Sequence, residues 1–279
     1  MEASKKKELQ LAANKIRQLV IEGTYNAKCG HPGGSLSIAD MLAYLYFDKM
    51  NIDPKEPKKE GRDRFVLSKG HTAPALYGAL ALRGYFPVED IKTLRKYGSY
   101  LQGHPDMKHI PGVEMTTGSL GQGISAAVGM ALAGKLEKKD YMVYTALGDG
   151  EIEEGQVWEA AMFAAHKKLD NLVVIVDNNN LQIDGPITEV NSPYPIVEKF
   201  VAFGFNTIEI DGHDFDAIEN AVNSKVEGKP TAVILKTTKG KGVSFMENNV
   251  SWHGSAPNQE QYEQAMAELT AAYKAIEEA

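Results

Sequence analysis

The sequence contains one cysteine, Cys29, among 279 residues, so it cannot form an internal disulfide. Disulfides are typical of oxidising compartments, and nothing in this composition indicates one. A lone thiol more often packs as a small buried hydrophobic group than acts as a nucleophile, and we predict the first role for Cys29.

Long apolar runs are also missing. No stretch approaches the roughly 20 apolar residues that a membrane-spanning helix needs. The lysine-rich residues 1–10 continue into an amphipathic pattern and lack the apolar core and cleavage site of a signal peptide. We therefore expect a cytoplasmic protein that does not enter membranes.

The chain has no excess of positive charge. Thirty Lys and Arg against 37 Asp and Glu give a net charge of −7, which disfavours broad binding of nucleic acid or anionic membranes. A local site for an anion remains open. With 43% hydrophobic and 24% charged residues, the composition is that of a folded globular protein with a sizeable core.

Short apolar runs alternate with helical patterns along the chain. We predict strands at residues 64–67, 141–147, 172–176, 206–210 and 231–236. We predict helices at residues 9–27, 35–50, 72–83, 121–137, 152–168, 196–203, 214–226 and 259–279. This alternation favours an α/β fold, with a mostly parallel sheet and helices on both faces. We expect residues 1–279 to form one domain with an N-terminal helical extension.

Ligands of such sheets bind at the carboxyl ends of the strands. The strand ending at Leu147 is followed by residues 148–151 (GDGE) and then by a helix. Flexible glycines and a helix N-terminus favour a phosphate group. An acidic side chain beside a phosphate site usually needs a metal ion between them, so Asp149 is a candidate Mg²⁺ ligand.

A second polar loop, residues 177–180 (DNNN), follows the next strand. Adjacent parallel strands would bring this loop beside the first one, and amide oxygens suit a hard cation. Either loop alone is usually only a turn. Two such loops at neighbouring strand ends together predict a shared site for a metal ion and a phosphate.

This pair of loops resembles the thiamine-diphosphate fingerprint, and other segments resemble transketolases in the transketolase order. These segments are residues 30–33 (GHPG), 68–71 (SKGH), 103–105 (GHP), 111–123 (PGVEMTTGSLGQG) and 252–254 (WHG). The resemblance runs from about Gly30 to Gly254 and covers most of the chain. It implies the thiamine-diphosphate-binding fold, specifically its diphosphate-binding domain.

The resemblance implies a metal site and a set of cofactor contacts. In transketolases an Asp side chain, an Asn side chain and a main-chain carbonyl hold Mg²⁺, or Ca²⁺ or Mn²⁺ in its place. These positions correspond here to Asp149, Asn179 and Leu181. The implied contacts to thiamine diphosphate are His71, Gly118, Leu120, Asp149, Gly150, Glu154, Asn179, Leu181, Ile183, Lys239 and His253.

Two of the matched positions have two interpretations, and a third position departs from the family pattern. Lys239 matches a lysine that reaches the diphosphate in some transketolases, but a solvated loop lysine is an equal alternative. Glu154 is either an exposed helical glutamate or, by resemblance, a group that reaches across an interface to the neighbouring cofactor site. Ser255 stands where some family members have another lysine, which leaves a contact from that position open.

Four of the seven histidines lie in the matched loops. Imidazoles donate to or accept from hydroxyls and oxyanions near neutral pH. The resemblance implies catalytic roles for His31, His71, His104 and His253. His31 and His253 would assist proton transfer, His104 would hold the terminal hydroxyl of the ketose, and His71 and His253 would lie near the diphosphate. The other three histidines, His109, His166 and His213, have no such match and are expected to be structural or at the surface.

Nothing in the sequence resembles the pyrimidine-binding domain, which supplies the activating carboxylate and most of the groups that grip the sugar phosphate. The resemblance therefore implies the N-terminal subunit of a split transketolase, active in the pentose phosphate pathway. A separate C-terminal subunit would complete an α2β2 heterotetramer. The reaction would transfer a two-carbon ketol unit from a ketose phosphate to an aldose phosphate.

Two other functions are compatible with the metal and phosphate loops. One is a subunit of a different thiamine-diphosphate enzyme, such as a pyruvate-using synthase or a ketoacid dehydrogenase component. Residues 103–105 and 111–123 favour transketolase over this alternative. The other is a non-catalytic nucleotide- or phosphate-binding module, against which the four loop histidines argue, because a simple diphosphate holder does not need them.

Overall fold

A parallel sheet forms the centre of the computed structural model, which describes residues 1–279. Its five strands are β1 (Arg64–Leu67), β2 (Val143–Gly148), β3 (Leu172–Asn178), β6 (Asn206–Asp211) and β7 (Thr231–Lys236). They lie in the order β1-β2-β3-β7-β6, and every pairing is parallel. A separate antiparallel hairpin consists of β4 (Leu181–Gln182) and β5 (Gly185–Pro186). The predicted α/β fold is confirmed.

Ten α-helices accompany the strands. They are α1 (Ala3–Ala27), α2 (Pro32–Ser37), α3 (Ala39–Tyr44), α4 (Ala73–Arg83), α5 (Gln122–Leu136), α6 (Gly155–His166), α7 (Ile187–Val190), α8 (Ile196–Ala202), α9 (Phe215–Asn223) and α10 (Gln259–Glu278). Single 3-10 turns lie at Gly70–Thr72, Val88–Thr93, Glu151–Glu153 and Val250–Trp252, and a π-helical turn at Leu45–Lys49. None of the helices combines the length and apolar character of a membrane span.

The predicted helix over residues 35–50 is interrupted. Instead of one helix, α2 and α3 meet at Ile38. The hydroxyls of Ser35 and Ser37 donate back to the carbonyls of His31 and Gly34, at 2.7 and 3.1 Å. Such bonds compete with the helical ladder and explain the break, which the apolar spacing alone did not reveal.

Both faces of the sheet are buried. Along β3 the side chains alternate, so that Val173 and Ile175 join one core and Leu172, Val174 and Val176 join the other. The first core contains 46 buried residues and is covered by α1 to α4, α9 and α10. The second contains 22 and is covered by α5, α6 and α8. Helices on both faces, as predicted, leave only the strand ends free to form a site.

The strand register brings the predicted loops together. Gly148 pairs with Asp177, and Asn178 pairs with Lys236. The loops that follow β2, β3 and β7 therefore open at one edge of the sheet, as expected for neighbouring parallel strands.

Candidate active site

A cavity of about 270 Å³ lies at this carboxyl edge. Most of the predicted site residues line it, namely His31, His71, Gly118, Leu120, Asp149, Gly150, Asn179, Leu181, Ile183, Lys239 and His253. His104 and Glu154 are the predicted residues outside this lining. The edge of the sheet thus gathers groups from seven separate segments of the chain into one space.

Asp149 lies at the floor of the cavity with 3% of its surface exposed. Its carboxylate accepts hydrogen bonds from the backbone N–H groups of Gly150 (2.9 Å) and Asn180 (2.6 Å). Burial, with the nearby Asp177 carboxylate adding to it, raises the pKa of Asp149 to about 7. A buried carboxylate held only by backbone donors favours a cation beside it.

Oxygen atoms from two further residues face the same space. Asn179 Oδ1 accepts from the Leu181 N–H at 3.2 Å, and Leu181 opens the β4–β5 hairpin. With Asp149, these residues offer carboxylate, amide and carbonyl oxygens, the donor set that Mg²⁺ prefers. No group of three His, Cys, Asp or Glu residues forms a complete metal site in the chain. The residues present therefore fit a Mg²⁺ ion that takes its remaining ligands from a bound diphosphate.

Lys239 is buried in the cavity wall, with 2% of its surface exposed, so the alternative of a solvated lysine is wrong. Its Nζ donates to the Leu181 carbonyl at 2.8 Å and lies 2.9 Å from His253 Nδ1. Burial lowers the pKa of Lys239 to about 8, against the opposing effect of Asp149. The ammonium group is thus the positive charge nearest the implied metal ligands.

Three of the four predicted histidines form a cluster. Ring centroids are 5.3 Å apart for His31 and His71, 5.6 Å for His31 and His253, and 5.2 Å for His71 and His253. Burial lowers the pKa of His31 to about 4 and that of His253 to about 3, and it holds the pKa of His71 well below the ordinary value. All three imidazoles are therefore uncharged near neutral pH, able to donate through one nitrogen and accept through the other.

His104 lies apart from this cluster and packs against the glycine loop. The Tyr77 hydroxyl donates to the carbonyls of Gln102 (2.8 Å) and His104 (3.0 Å) and fixes the loop that carries His104. Gly118 has φ +149°, and a Cβ there would stand 3.0 Å from the His104 ring. Only glycine combines this backbone with so close a ring. Burial and the Arg95 charge lower the pKa of His104.

Lys69, which lines the cavity, forms a buried ion pair with Asp177 that was not predicted from the sequence. Asp177 also accepts from the hydroxyls of Ser37 (2.6 Å) and Thr237, and Lys69 donates to the Gly34 carbonyl at 3.0 Å. Burial alone would raise the pKa of Asp177, but Lys69 and the hydroxyl donors outweigh it and keep that pKa below its usual value. The only sequence signal was that each residue lay inside a matched or polar loop.

A second buried carboxylate, Glu151, was also missed. It accepts from the Ser68 hydroxyl and from the N–H groups of Gly121 (3.0 Å) and Gly148 (3.1 Å). Burial raises the pKa of Glu151. This carboxylate ties the glycine loop before α5 to the end of β2, and its place after residues 148–150 (GDG) was the available signal.

His213 has a structural role, one of the two that we predicted for it. Its Nε2 accepts from the Thr238 N–H at 2.9 Å, so the proton is on Nδ1, which lies 2.7 Å from Asp40. Asp40 is also paired with Arg17. This buried chain of contacts holds the loop that carries Lys239. His109 and His166 are exposed, in agreement with the prediction.

Several predicted residues lie at the rim of the cavity or beyond it. Glu154 is the exposed N-cap of α6 rather than part of its first turn. Leu120 and Ile183 are 36% and 61% exposed. Ser255 is exposed and does not line the cavity. Cys29 is half-buried, so it is less buried than predicted.

Comparison with known proteins gives concordant matches. A family model described as "Transketolase, thiamine diphosphate binding domain" matches residues 8–275. The 6-deoxy-6-sulfo-D-fructose transketolase subunit SqwG of Clostridium sp. (strain MSTE9) is 50% identical over 264 residues, 94% of this chain and 96% of the relative. One of the subunits of the apulose-4-phosphate transketolase of Phocaeicola vulgatus is 45% identical over 271 residues, 96% of each chain.

The solved structures include similar chains as well. The transketolase of Campylobacter jejuni matches with a TM-score of 0.89 and 34% identity, covering 99% of this chain and 46% of that one. The chain therefore spans about half of the solved transketolase and nearly the full length of the two subunits.

Proposed function

The chain belongs to the transketolase family, whose thiamine diphosphate-binding domain it matches, and from this premise we propose that it is the N-terminal subunit of a two-subunit transketolase. It would transfer a two-carbon ketol unit between sugar phosphates together with a separate C-terminal subunit. The observation that carries this proposal is the 96% coverage of relatives that are themselves named transketolase subunits.

The cavity supports binding of thiamine diphosphate with Mg²⁺, or with Ca²⁺ or Mn²⁺ in its place. Asp149, Asn179 and Leu181 would hold the metal ion, and the amides of Gly118 and Gly150 would face the diphosphate. Thiamine diphosphate, when bound, supplies the carbon atom to which the ketol unit is attached during transfer. Lys239 would release the Leu181 carbonyl to the metal ion and compensate phosphate charge.

The four histidines are proposed to work on the sugar. Because His253 Nδ1 accepts from Lys239, the proton of this neutral imidazole is on Nε2, where it can be donated to a substrate oxygen. His31 stands opposite and would exchange a proton with the same oxygen. His71 would orient both rings from the diphosphate side, and His104 would hold the terminal hydroxyl of the ketose.

The partner is proposed to be a chain with a pyrimidine-binding domain, assembled with this one as an α2β2 heterotetramer. This edge has exposed apolar side chains, Leu120 and Ile183, with the exposed Glu154 beside them, which supports an arrangement in which the partner subunit covers the edge. The extent of the diphosphate-binding domain (residues 1–279), the cytoplasmic location and the pentose phosphate pathway remain predictions from the sequence.

Reconstitution tests the proposal. The chain alone should show no ketol transfer, and addition of the proposed C-terminal subunit should give activity with xylulose phosphate as donor and an aldose phosphate as acceptor. Robust transfer by the chain alone would contradict the two-subunit arrangement. Activity of the complex with pyruvate, but not with a ketose phosphate, would favour the other thiamine-diphosphate enzymes.

A second test addresses the metal site in the same complex. Asp149→Asn should abolish Mg²⁺-dependent binding of thiamine diphosphate in calorimetry, because the only carboxylate ligand is lost. Asp184→Asn changes an exposed aspartate of the neighbouring hairpin and serves as the matched control. Unchanged cofactor affinity in Asp149→Asn would show that the ligand assignment is wrong.

A further inference from the structure

Arg95, which lies next to the cavity-lining His31, is a cation without a carboxylate partner. It takes part in none of the ion pairs of the chain. Its Nη2 instead lies 3.5 Å from His31 Nδ1 and 3.4 Å from the Gly103 carbonyl. A guanidinium group thus stands between His31 and the loop that carries His104.

The loop is built around this guanidinium group. Arg95 has φ +58°, in the left-handed region that few non-glycine residues occupy, and its N–H donates to the Leu101 carbonyl at 2.8 Å. A Cβ at Gly103 would stand 2.5 Å from Arg95 Cζ, so only glycine leaves room for the guanidinium group. The loop therefore leaves room for the group between His31 and Gly103.

Two consequences follow from the chemistry of arginine. A guanidinium group donates hydrogen bonds and never accepts them, so His31 Nδ1 can bond to it only as an acceptor, with the proton of the neutral ring on Nε2. A fixed positive charge also disfavours a second positive charge nearby. Arg95 is well placed to exert both effects on His31 and the second effect on His104.

Other groups also face His31. They are the rings of His71 and His253, together with His104 and the Lys239 ammonium group. Burial is the largest cause of the lowered pKa of His31 and of His104, and Arg95 is the next cause for each. For His71 and His253 the neighbouring charges are Lys69 and Lys239 instead. The effect of Arg95 should therefore be confined to two of the four histidines.

We propose that Arg95 is a positioning residue that holds the His31 proton on Nε2 and disfavours a positive charge on His31 and His104. Its use in catalysis rests on the proposed function, whereas the effect on the imidazoles does not. His31 then presents Nε2 toward Gly254, beside the His253 ring, rather than toward the loop.

The test is a histidine titration of the full chain by ¹⁵N NMR, from pH 8 to the acid limit of the folded state. In the wild type, His31 should show the Nε2–H tautomer. Arg95→Met should raise the titration midpoints of His31 and His104 by about half to one pH unit and leave those of His71 and His253 unchanged. Arg95→Lys retains the positive charge and should keep the midpoints low. It should give a mixture of His31 tautomers, because an ammonium group lacks the planar arrangement of donors of a guanidinium group.

Lys96→Met is the matched control, since it removes the same charge from an exposed neighbour. An equal shift in Lys96→Met, an unchanged midpoint in Arg95→Met, or a wild-type proton on Nδ1 would each overturn the proposal. Circular dichroism checks that the variants are folded, and Arg95→Gln replaces Arg95→Met if that variant is not.

The reconstituted complex extends the test to catalysis. Arg95→Met should move the acid limb of the kcat profile to higher pH by the same amount as the midpoints, with KM for cofactor unchanged. An inactive wild-type complex would count against the proposed function and leave the titration result standing. An active complex whose acid limb does not move in Arg95→Met would show that Arg95 does not position the catalytic histidines.

Discussion

Two aspartates at the ends of neighbouring strands are almost equally buried and yet differ in state. Asp149 is 3% exposed and Asp177 is fully buried. The pKa of Asp149 is raised to about 7 by burial, whereas the pKa of Asp177 is kept low by Lys69 despite its burial. Depth alone does not decide the charge of a carboxylate, because the partners around it do.

The difference separates a group that completes the fold from one that is kept for a ligand. Asp177 receives an ammonium group and two hydroxyls, and so joins β3 to α2 and to the loop after β7. Asp149 receives only backbone N–H groups and faces the cavity. A buried carboxylate without a salt bridge destabilises the free chain and favours binding of a cation.

Removing the partner of Asp177 should have the largest effect. Lys69→Met leaves a buried carboxylate without its counter-ion, and we expect a loss of about 3–5 kcal/mol in the free energy of unfolding. Urea unfolding of the cofactor-free chain measures it. The double variant Lys69→Met/Asp177→Asn should recover part of the loss, and a single-variant loss below about 1 kcal/mol would contradict the assigned role of the pair.

Removing the carboxylate charge of Asp149 should raise the free energy of unfolding, whereas Lys69→Met should lower it. The pKa of Asp149 is higher in the folded chain than in the unfolded one, so its contribution is greatest below about pH 4 and is lost as pH rises through 7. Asn cannot ionise, so Asp149→Asn avoids the cost of a buried carboxylate charge at high pH. It should stabilise the cofactor-free chain at pH 8 by up to about 4 kcal/mol. Destabilisation comparable to that of Lys69→Met would place Asp149 with the structural carboxylates.

The histidine cluster extends the comparison to positive charge. The pKa of His253 falls to about 3 on folding, so its contribution is complete above the unfolded pKa of 6.5 and is lost as pH falls toward 3. The free energy of unfolding falls as the pH is lowered through this window, and His253→Gln should make that fall less steep by up to about 1.4 kcal/mol per pH unit. His109→Gln, at an exposed position, is the control, and equal slopes in wild type and His253→Gln would refute the burial effect.

Glu154 should give the smallest effect on the chain itself. It is exposed and makes no hydrogen bond through its carboxylate, so Glu154→Gln should change the unfolding free energy by less than about 0.5 kcal/mol. If it faces the partner subunit, the same substitution should weaken assembly in sedimentation experiments. A large loss of stability in the isolated chain would mean that Glu154, like Asp177, belongs to the fold.

The alternation of apolar strands and helices was readable from the sequence, and so were most strand positions. The errors lie where a local pattern is too short or is overridden. The two-residue strands β4 and β5 have no period to detect, although they place Leu181. The predicted strand over residues 141–147 begins at Val143 instead, because pairing with β3 starts at that residue.

For the site, the matched segments predicted most of the lining of the cavity but not all of it, nor its support. Lys69 and Glu151, which also line the cavity, and Arg95, which contacts His31, were not assigned roles. Each acts through a partner far away in the chain, which residue type and spacing do not specify. Lys239 was named from the sequence, but the sequence left open whether it is solvated or reaches the diphosphate. Its burial in the structure excludes the solvated alternative.

The sequence by itself determined which chemical groups stand at the strand ends and in what order the loops follow. Local rules suffice for that, because turn glycines, strand periods and helix starts depend on neighbouring residues. Only the tertiary structure decided which of these groups are charged and which are paired. Asp149 and Asp177 are the same residue type at the same kind of position, and their different states come from Lys69 and the hydroxyls of Ser37 and Thr237, which folding brings from distant segments. The pKa of a group depends on burial and on charges from every packed element, and these exist only once the chain is folded.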